Sequence, residues 1–193
     1  MESGSMSKRK ELLIGMLKDP ADEVRAAAAA SLEQLEGVLG VDAVLEQLKQ
    51  GTLAEKIRAI YALGETGGEK ALAPLVYCTS RPEEDLKGAA IDALGTVLHR
   101  STIPTLLEKL ADDNSGIRAR AIRALGNFRE KSVISHLLPF LDAEDGLTDV
   151  EAALALAKTG DPSLEEPLMK LALSPLATAR AAAATALGLL RPA

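Results

Sequence analysis

The sequence predicts an all-α solenoid, a row of six stacked two-helix units that repeat every 31 residues. Leucine marks the period, at Leu32, Leu63, Leu94, Leu125, Leu156 and Leu187. Within each unit the apolar residues fall three and four apart, which places them on one face of a helix. Composition agrees. Of the 193 residues 47% are hydrophobic but only 2% aromatic, with no tryptophan. A core of Ala, Leu, Ile and Val suits helices that approach closely, where large rings would hold them apart.

The positions around the marker leucine repeat too, one without exception and two with small residue or isoleucine alternatives in most units. Four residues before it stand Ala28, Ala59, Ala90, Ala121, Ala152 and Ala183. Three before it are Ala29, Ile60, Ile91, Ile122, Ala153 and Ala184, and just after it Glu33, Gly64, Gly95, Gly126, Ala157 and Gly188. The constant alanine marks where a second helix comes too close for a larger side chain. An earlier apolar set, such as Ile103, Leu106, Leu107 and Leu110, predicts a first helix in each unit. The stretch from Ala111 to Gly116 is the turn between that helix and the second. Pro20, Pro82 and Pro175 share one turn position, while Pro74, Pro104 and Pro167 sit near the start of first helices, where a missing N–H costs little. Each unit is thus helix A, short turn, helix B and loop. The units run approximately 8–37, 38–68, 69–99, 100–130, 131–161 and 162–193, in a single domain over 8–193. Residues 1–7 are expected to be a tag remnant or a disordered N-terminus. A lone helix pair cannot cover both of its apolar faces, so the units must share one continuous core. The B helices are expected to line the concave side.

The pattern of a turn Asp, then Val/Ile-Arg, then Ala-x-x-Ala-Leu-Gly resembles the HEAT-like repeats of the phycobilisome-lyase type. It is carried by Asp19 to Arg25 running on to Leu32, and by Asp112 through Ile117-Arg118 to Ala124-Leu125-Gly126. The resemblance spans roughly residues 10 to 191. It implies a right-handed α-α superhelix and a protein-binding role, and names no partner. Unit five departs from the pattern, with Asp149 in the Arg slot and Ala157 in the Gly slot; unit two has Lys56 in the Arg slot. The slot reads Arg25, Lys56, Lys87, Arg118, Asp149 and Arg180. We expect its cations to reach turn carboxylates, Asp19 for Arg25 and Asp112 for Arg118, as a structural ladder.

Several function classes are disfavoured by the residues present. A net charge of −6, from 22 Lys+Arg against 28 Asp+Glu, argues against binding phosphate backbones. What basic character there is rests on Arg58, Arg118, Arg120, Arg123 and the Lys8-Arg9-Lys10 start. Cys78 is the single cysteine, which rules out an internal disulfide and fits a reducing, cytoplasmic setting. The apolar stretch near the start is too short for a signal peptide, and no run approaches a membrane span. His99 and His136 lie 37 residues apart without a His-Glu pair, so neither a metal nor another cofactor is expected. Cys78 has no activating partner and reads as a packed thiol. Paired carboxylates such as Glu83-Glu84 and Glu165-Glu166 fall at helix starts, where they complement the helix dipole.

What fails to repeat is where function is sought. The outward positions of the middle B helices carry Arg58, Tyr61, Asp92, Arg120, Arg123 and Asn127, while the end units carry mostly alanine and small polar residues. Arg and Tyr bury large areas with directional polar groups and are enriched at binding hot spots. The last helix is unusually apolar, and Leu187, Leu189 and Leu190 are candidates for an end-to-end interface or partner docking. The expected function is a non-enzymatic scaffold or adaptor in the cytoplasm, binding an acidic or mixed-charge segment of another protein on its concave face. The alternatives are a lyase-like or chromophore-handling accessory subunit and, disfavoured by charge, a nucleic-acid-binding protein.

Overall fold

The computed structural model describes residues 2–66 and 68–190, with side chains for 8–32, 40–66 and 68–190. The helices in chain order are α1 (Glu2–Met16), α2 (Asp22–Gln50), α3 (Leu53–Thr66), α4 (Glu69–Cys78), α5 (Glu84–Val97), α6 (Ile103–Glu108), α7 (Ser115–Asn127), α8 (Ile134–Leu137), α9 (Thr148–Ala157), α10 (Glu165–Leu171) and α11 (Ala177–Leu189). Short 3-10 turns extend α6, α8 and α10. No strand occurs among the described residues. The chain is an α-α superhelix in which α3, α5, α7, α9 and α11, the B helices, each pack on the next.

The core follows the period. Leu63, Leu94, Leu125 and Leu156 are fully buried, as are Ile60, Ile91 and Ile122. The first-helix leucines Leu75, Leu106, Leu137 and Leu168 are buried beside them. The close approach expected at the constant alanine is resolved at the Gly slot. A Cβ built on Gly64 would lie 2.9 Å from the Ala93 Cβ, one on Gly95 2.8 Å from the Ala124 Cβ, and one on Gly126 2.5 Å from the Ala155 Cβ. Each B helix therefore presses the residue after its marker leucine against the alanine before the next one. Ala157 breaks this pattern in unit five, placing a buried methyl group in the Gly slot.

The arginines of the slot do not take Asp19 and Asp112 as their carboxylate partners, whereas Lys87 of the same slot reaches the turn carboxylate of Asp112 as expected. Arg25 donates from Nη1 to the carbonyls of Asp19 (2.6 Å) and Pro20 (3.0 Å), and also pairs with the Asp22 carboxylate. Arg118 does the same with the carbonyls of Asp112 (2.9 Å) and Asp113 (3.0 Å). Arg180 repeats it with Ser174 (2.9 Å) and Pro175 (2.8 Å). The guanidinium satisfies carbonyls left open where helix A ends. The turn carboxylates are engaged otherwise: Asp19 and Asp112 accept the N–H two residues on, and Asp112 also takes Lys87 Nζ from the preceding unit at 2.8 Å.

Two other expectations change. A loop was expected near 37/38, but α2 runs unbroken across it. The later boundaries carry backbone that turns: Gly68 has φ +84°, and Leu98, Arg129 and Gly160, one period apart, have φ of 55°, 55° and 66°. Positive-φ backbone follows the ends of α5, α7 and α9, while Gly68 caps the start of α4, and glycine adopts such backbone without the cost that leucine or arginine bears. Pro74 lies well inside α4 rather than at its start, so its missing N–H removes an intrahelical bond. Met1 and residues 191–193 lie outside the described residues, and residues 2–7 fall within α1. No helix among the described residues is long and apolar enough to cross a membrane.

The Gly-slot contact predicts an asymmetry between equivalent glycines. Gly126→Ala should destabilise the fold by about 1–3 kcal/mol through overpacking. Gly188→Ala, where an added Cβ meets nothing within 4 Å, should be neutral or stabilising by up to about 1 kcal/mol. Urea denaturation of the two variants beside the parent chain measures both.

Candidate protein-binding face

The six residues singled out on the middle units lie on α3, α5 and α7, and a single register connects most of them. The position two before one marker leucine meets the position five before the next, 28 residues on. Asp92 of α5 thereby receives Arg120 of α7 in an ion pair. Arg123 of α7 grips Glu151 of α9 through Nε at 3.1 Å and Nη2 at 2.5 Å. Asn127 bridges neighbouring helices in a separate register, donating to the Gly95 carbonyl at 3.1 Å and accepting Lys158 Nζ at 2.8 Å. Arg58 is exposed and within electrostatic reach of Glu55 on its own helix.

The face is therefore a set of cross-repeat rungs rather than a field of free cations. At unit two the rung positions hold Tyr61 and the buried Ala89; at unit five they hold Leu154 and the buried Ala182. Two charged rungs, Asp92–Arg120 and Arg123–Glu151, thus lie between these two uncharged ones. Asp92 is the strained member: burial pushes its carboxyl above the ordinary range, against the pull of Arg120, Arg123 and the nearby Tyr61 hydroxyl. Arg123 is held more firmly charged, chiefly by its hydrogen bonds to Glu151.

Between α3, α5 and α7 this arrangement leaves a cleft of about 290 Å³, walled by Ile57, Tyr61, Gly88, Ala89, Ile117 and Arg120. Gly88 opens it. A Cβ there would come within 3.1 Å of the Arg120 guanidinium group. Tyr61 stands at the cleft with 44% of its surface exposed. The Glu84 and Asp85 carboxylates also line the cleft. With its apolar residues, aromatic ring and the Arg120 guanidinium oriented by Asp92, it suits a segment of mixed character, an apolar side chain next to a hydrogen-bond acceptor.

The other residues considered from sequence lie away from this face. Leu187 and Leu190 pack partly against the core, whereas Leu189 is 56% exposed. His99 and His136 are exposed, with His99 Nδ1 2.7 Å from Ser101 Oγ. Among the described residues no three His, Cys, Asp or Glu side chains are grouped to hold a metal ion. Cys78 is buried, and burial pushes its thiol pKa up, which disfavours the nucleophilic thiolate. Glu151 and Lys158 also belong to this face, beyond the six residues that the sequence pattern points to. The 28-residue offset between opposite charges would have found the first.

Comparison with known proteins bears on the repeat. The HEAT repeat family matches residues 10–94 and 74–150. Among proteins of curated function, no sequence matches. Among solved structures, the complex of CpcE and CpcF of phycocyanin lyase from Nostoc sp. PCC7120 is similar at TM-score 0.67 and 21% identity. That match covers 78% of this chain, and this chain spans only 64% of the other. An engineered protein is similar at TM-score 0.56 and 19% identity, covering 93% of this chain and 95% of its own. At these identities the likeness is one of fold.

The rung assignment is measurable. A double-mutant cycle on Arg123→Ala and Glu151→Ala should give a coupling of about 0.5–1 kcal/mol in unfolding free energy, as for a partly exposed, two-point pair. Strict additivity would contradict the contact.

Proposed function

We propose that this chain, which belongs to the HEAT repeat family, is a non-enzymatic, cytoplasmic scaffold that docks another protein on the concave face formed by its B helices. The observation that carries this reading is the cleft between α3, α5 and α7, with Tyr61 exposed beside an Arg120 already oriented by Asp92. Preoriented side chains lose less freedom when a partner arrives, so more of each contact survives as affinity. The partner segment is acidic or of mixed charge. Its carboxylate approaches Arg120 and Arg123 at the charged rungs, while an apolar neighbour enters the cleft. The rival reading, a lyase-like or chromophore-handling subunit, draws on the same fold likeness. The structure in that comparison is itself a complex of two proteins, which also suits partner binding.

Reversing both charges in Arg120→Glu/Arg123→Glu should weaken binding to a captured partner by at least about 2 kcal/mol in calorimetry, the scale of hot-spot anchors. Adding Glu151→Arg restores charge complementarity at one rung, so a binding loss that persists there belongs to the face and not to folding. Unchanged affinity in the double variant would sink the assignment.

The apolar C-terminal helix has a separate proposed role, self-association through Leu187, Leu189 and Leu190. Light scattering should then show concentration-dependent dimers that Leu189→Glu abolishes. A strict monomer at high concentration would rule this out.

A further inference from the structure

We propose a second docking site on the turn edge of units five and six, built around Asp149 and specific for an arginine side chain of a partner protein. It is distinct from the B-helix face and stands whether or not that face binds.

Asp149 occupies the slot that holds Arg25, Arg118 and Arg180 in units one, four and six. There a guanidinium ties helix B to the carbonyls of its own turn. Unit five puts a carboxylate in the same place. Asp149 is 1% exposed, its Oδ1 accepts the Val150 N–H at 2.7 Å, and its Oδ2 has no hydrogen-bond partner among the described residues. A buried carboxylate oxygen without a partner is costly, because desolvation weakens it and nothing returns the loss. A chain that keeps such a group gains from whatever satisfies it.

Asp149 is the most buried wall of a cleft of about 170 Å³. Asp142, Glu144 and Lys170 share that cleft, and Lys170 Nζ is held by Asp142 Oδ1 at 2.8 Å. Three carboxylates thus line the cleft with one ammonium, and the excess charge is negative. No three His, Cys, Asp or Glu side chains are grouped to hold a metal ion among the described residues, so an organic cation fits better. A guanidinium offers five N–H donors in a fixed fork that matches a carboxylate, with donors left over for carbonyls. A wider groove of about 650 Å³ adjoins the cleft and shares Leu141, Asp142, Pro167 and Lys170 with it. That groove can seat the backbone around the arginine. Leu173, 84% exposed at the rim of the cleft, offers apolar contact to the next residue. The partner's arginine would supply from outside the cation that the other units carry themselves.

The test is an NMR titration of the intact chain with N-acetyl-arginine N-methylamide and its neutral isostere, the citrulline analogue. The arginine probe should perturb amides at 141–149 and 170–175 and saturate, and the citrulline probe should bind about tenfold more weakly, the difference of one charge-assisted bond. Asp149→Asn should lose a similar factor. Asp149→Arg should abolish binding by filling the slot from within. Equal binding of the two probes, or shifts spread over the acidic surface and unchanged in Asp149→Asn, would overturn the proposal. The probe comparison needs no variant, so a folding defect in either substitution leaves the test intact.

Discussion

Successive B helices touch where a glycine on one meets an alanine on the next, and the other regularities of the fold depend on that contact. Gly64, Gly95 and Gly126 have no room for a methyl group against Ala93, Ala124 and Ala155. Backbones brought this close fix the register between units. With the register fixed, the position two before one marker leucine always faces the position five before the next. Asp92 then meets Arg120, and Arg123 meets Glu151. Dispersion between closely packed backbones and side chains is small per atom pair and large in sum. It replaces here the contribution that aromatic rings make in other cores.

The two chain edges of the stack do different work. The B-helix face is a row of rungs satisfied within the molecule, so its arginines are positioned rather than free. A partner there exploits geometry already in place. The turn edge is more uniform, because a guanidinium from helix B closes each of three turns on its own carbonyls. Asp149 interrupts that uniformity, and its effect is local. An aspartate in a slot that elsewhere holds a cation replaces a structural tie with a buried carboxyl oxygen that has no hydrogen-bond partner among the described residues.

Much of this was legible in the sequence, because period and apolar spacing report directly on which face each residue takes. The marker leucines from Leu32 to Leu156 and the isoleucines three before them are the buried residues expected, while Leu187 in the last helix is only partly buried. Other features depend on distances that a linear pattern does not carry. The pattern places Asp112 near Arg118, but not whether the guanidinium meets its carboxylate or its carbonyl; it meets the carbonyl. The break expected between units one and two is absent because the stretch Ser31–Gln50 contains no proline and its two glycines do not end the helix. Arg120 and Arg123 read as exposed cations until the helix register supplies their partners.

The central claim is that the Gly-slot contact sets the spacing of the array, and a compensation experiment tests it directly. Unfolding free energies of Gly126→Ala, Ala155→Gly and the double variant yield a coupling energy. If the two residues touch as described, moving the methyl group across the interface should relieve the Cβ–Cβ part of the clash, while the approach to the Ala155 Cα, 2.7 Å from an added Cβ, remains. The double variant should then be more stable than the sum of the single effects predicts, by about 1 kcal/mol or more. Simple additivity would show that the two residues do not touch at this point, and would contradict the account.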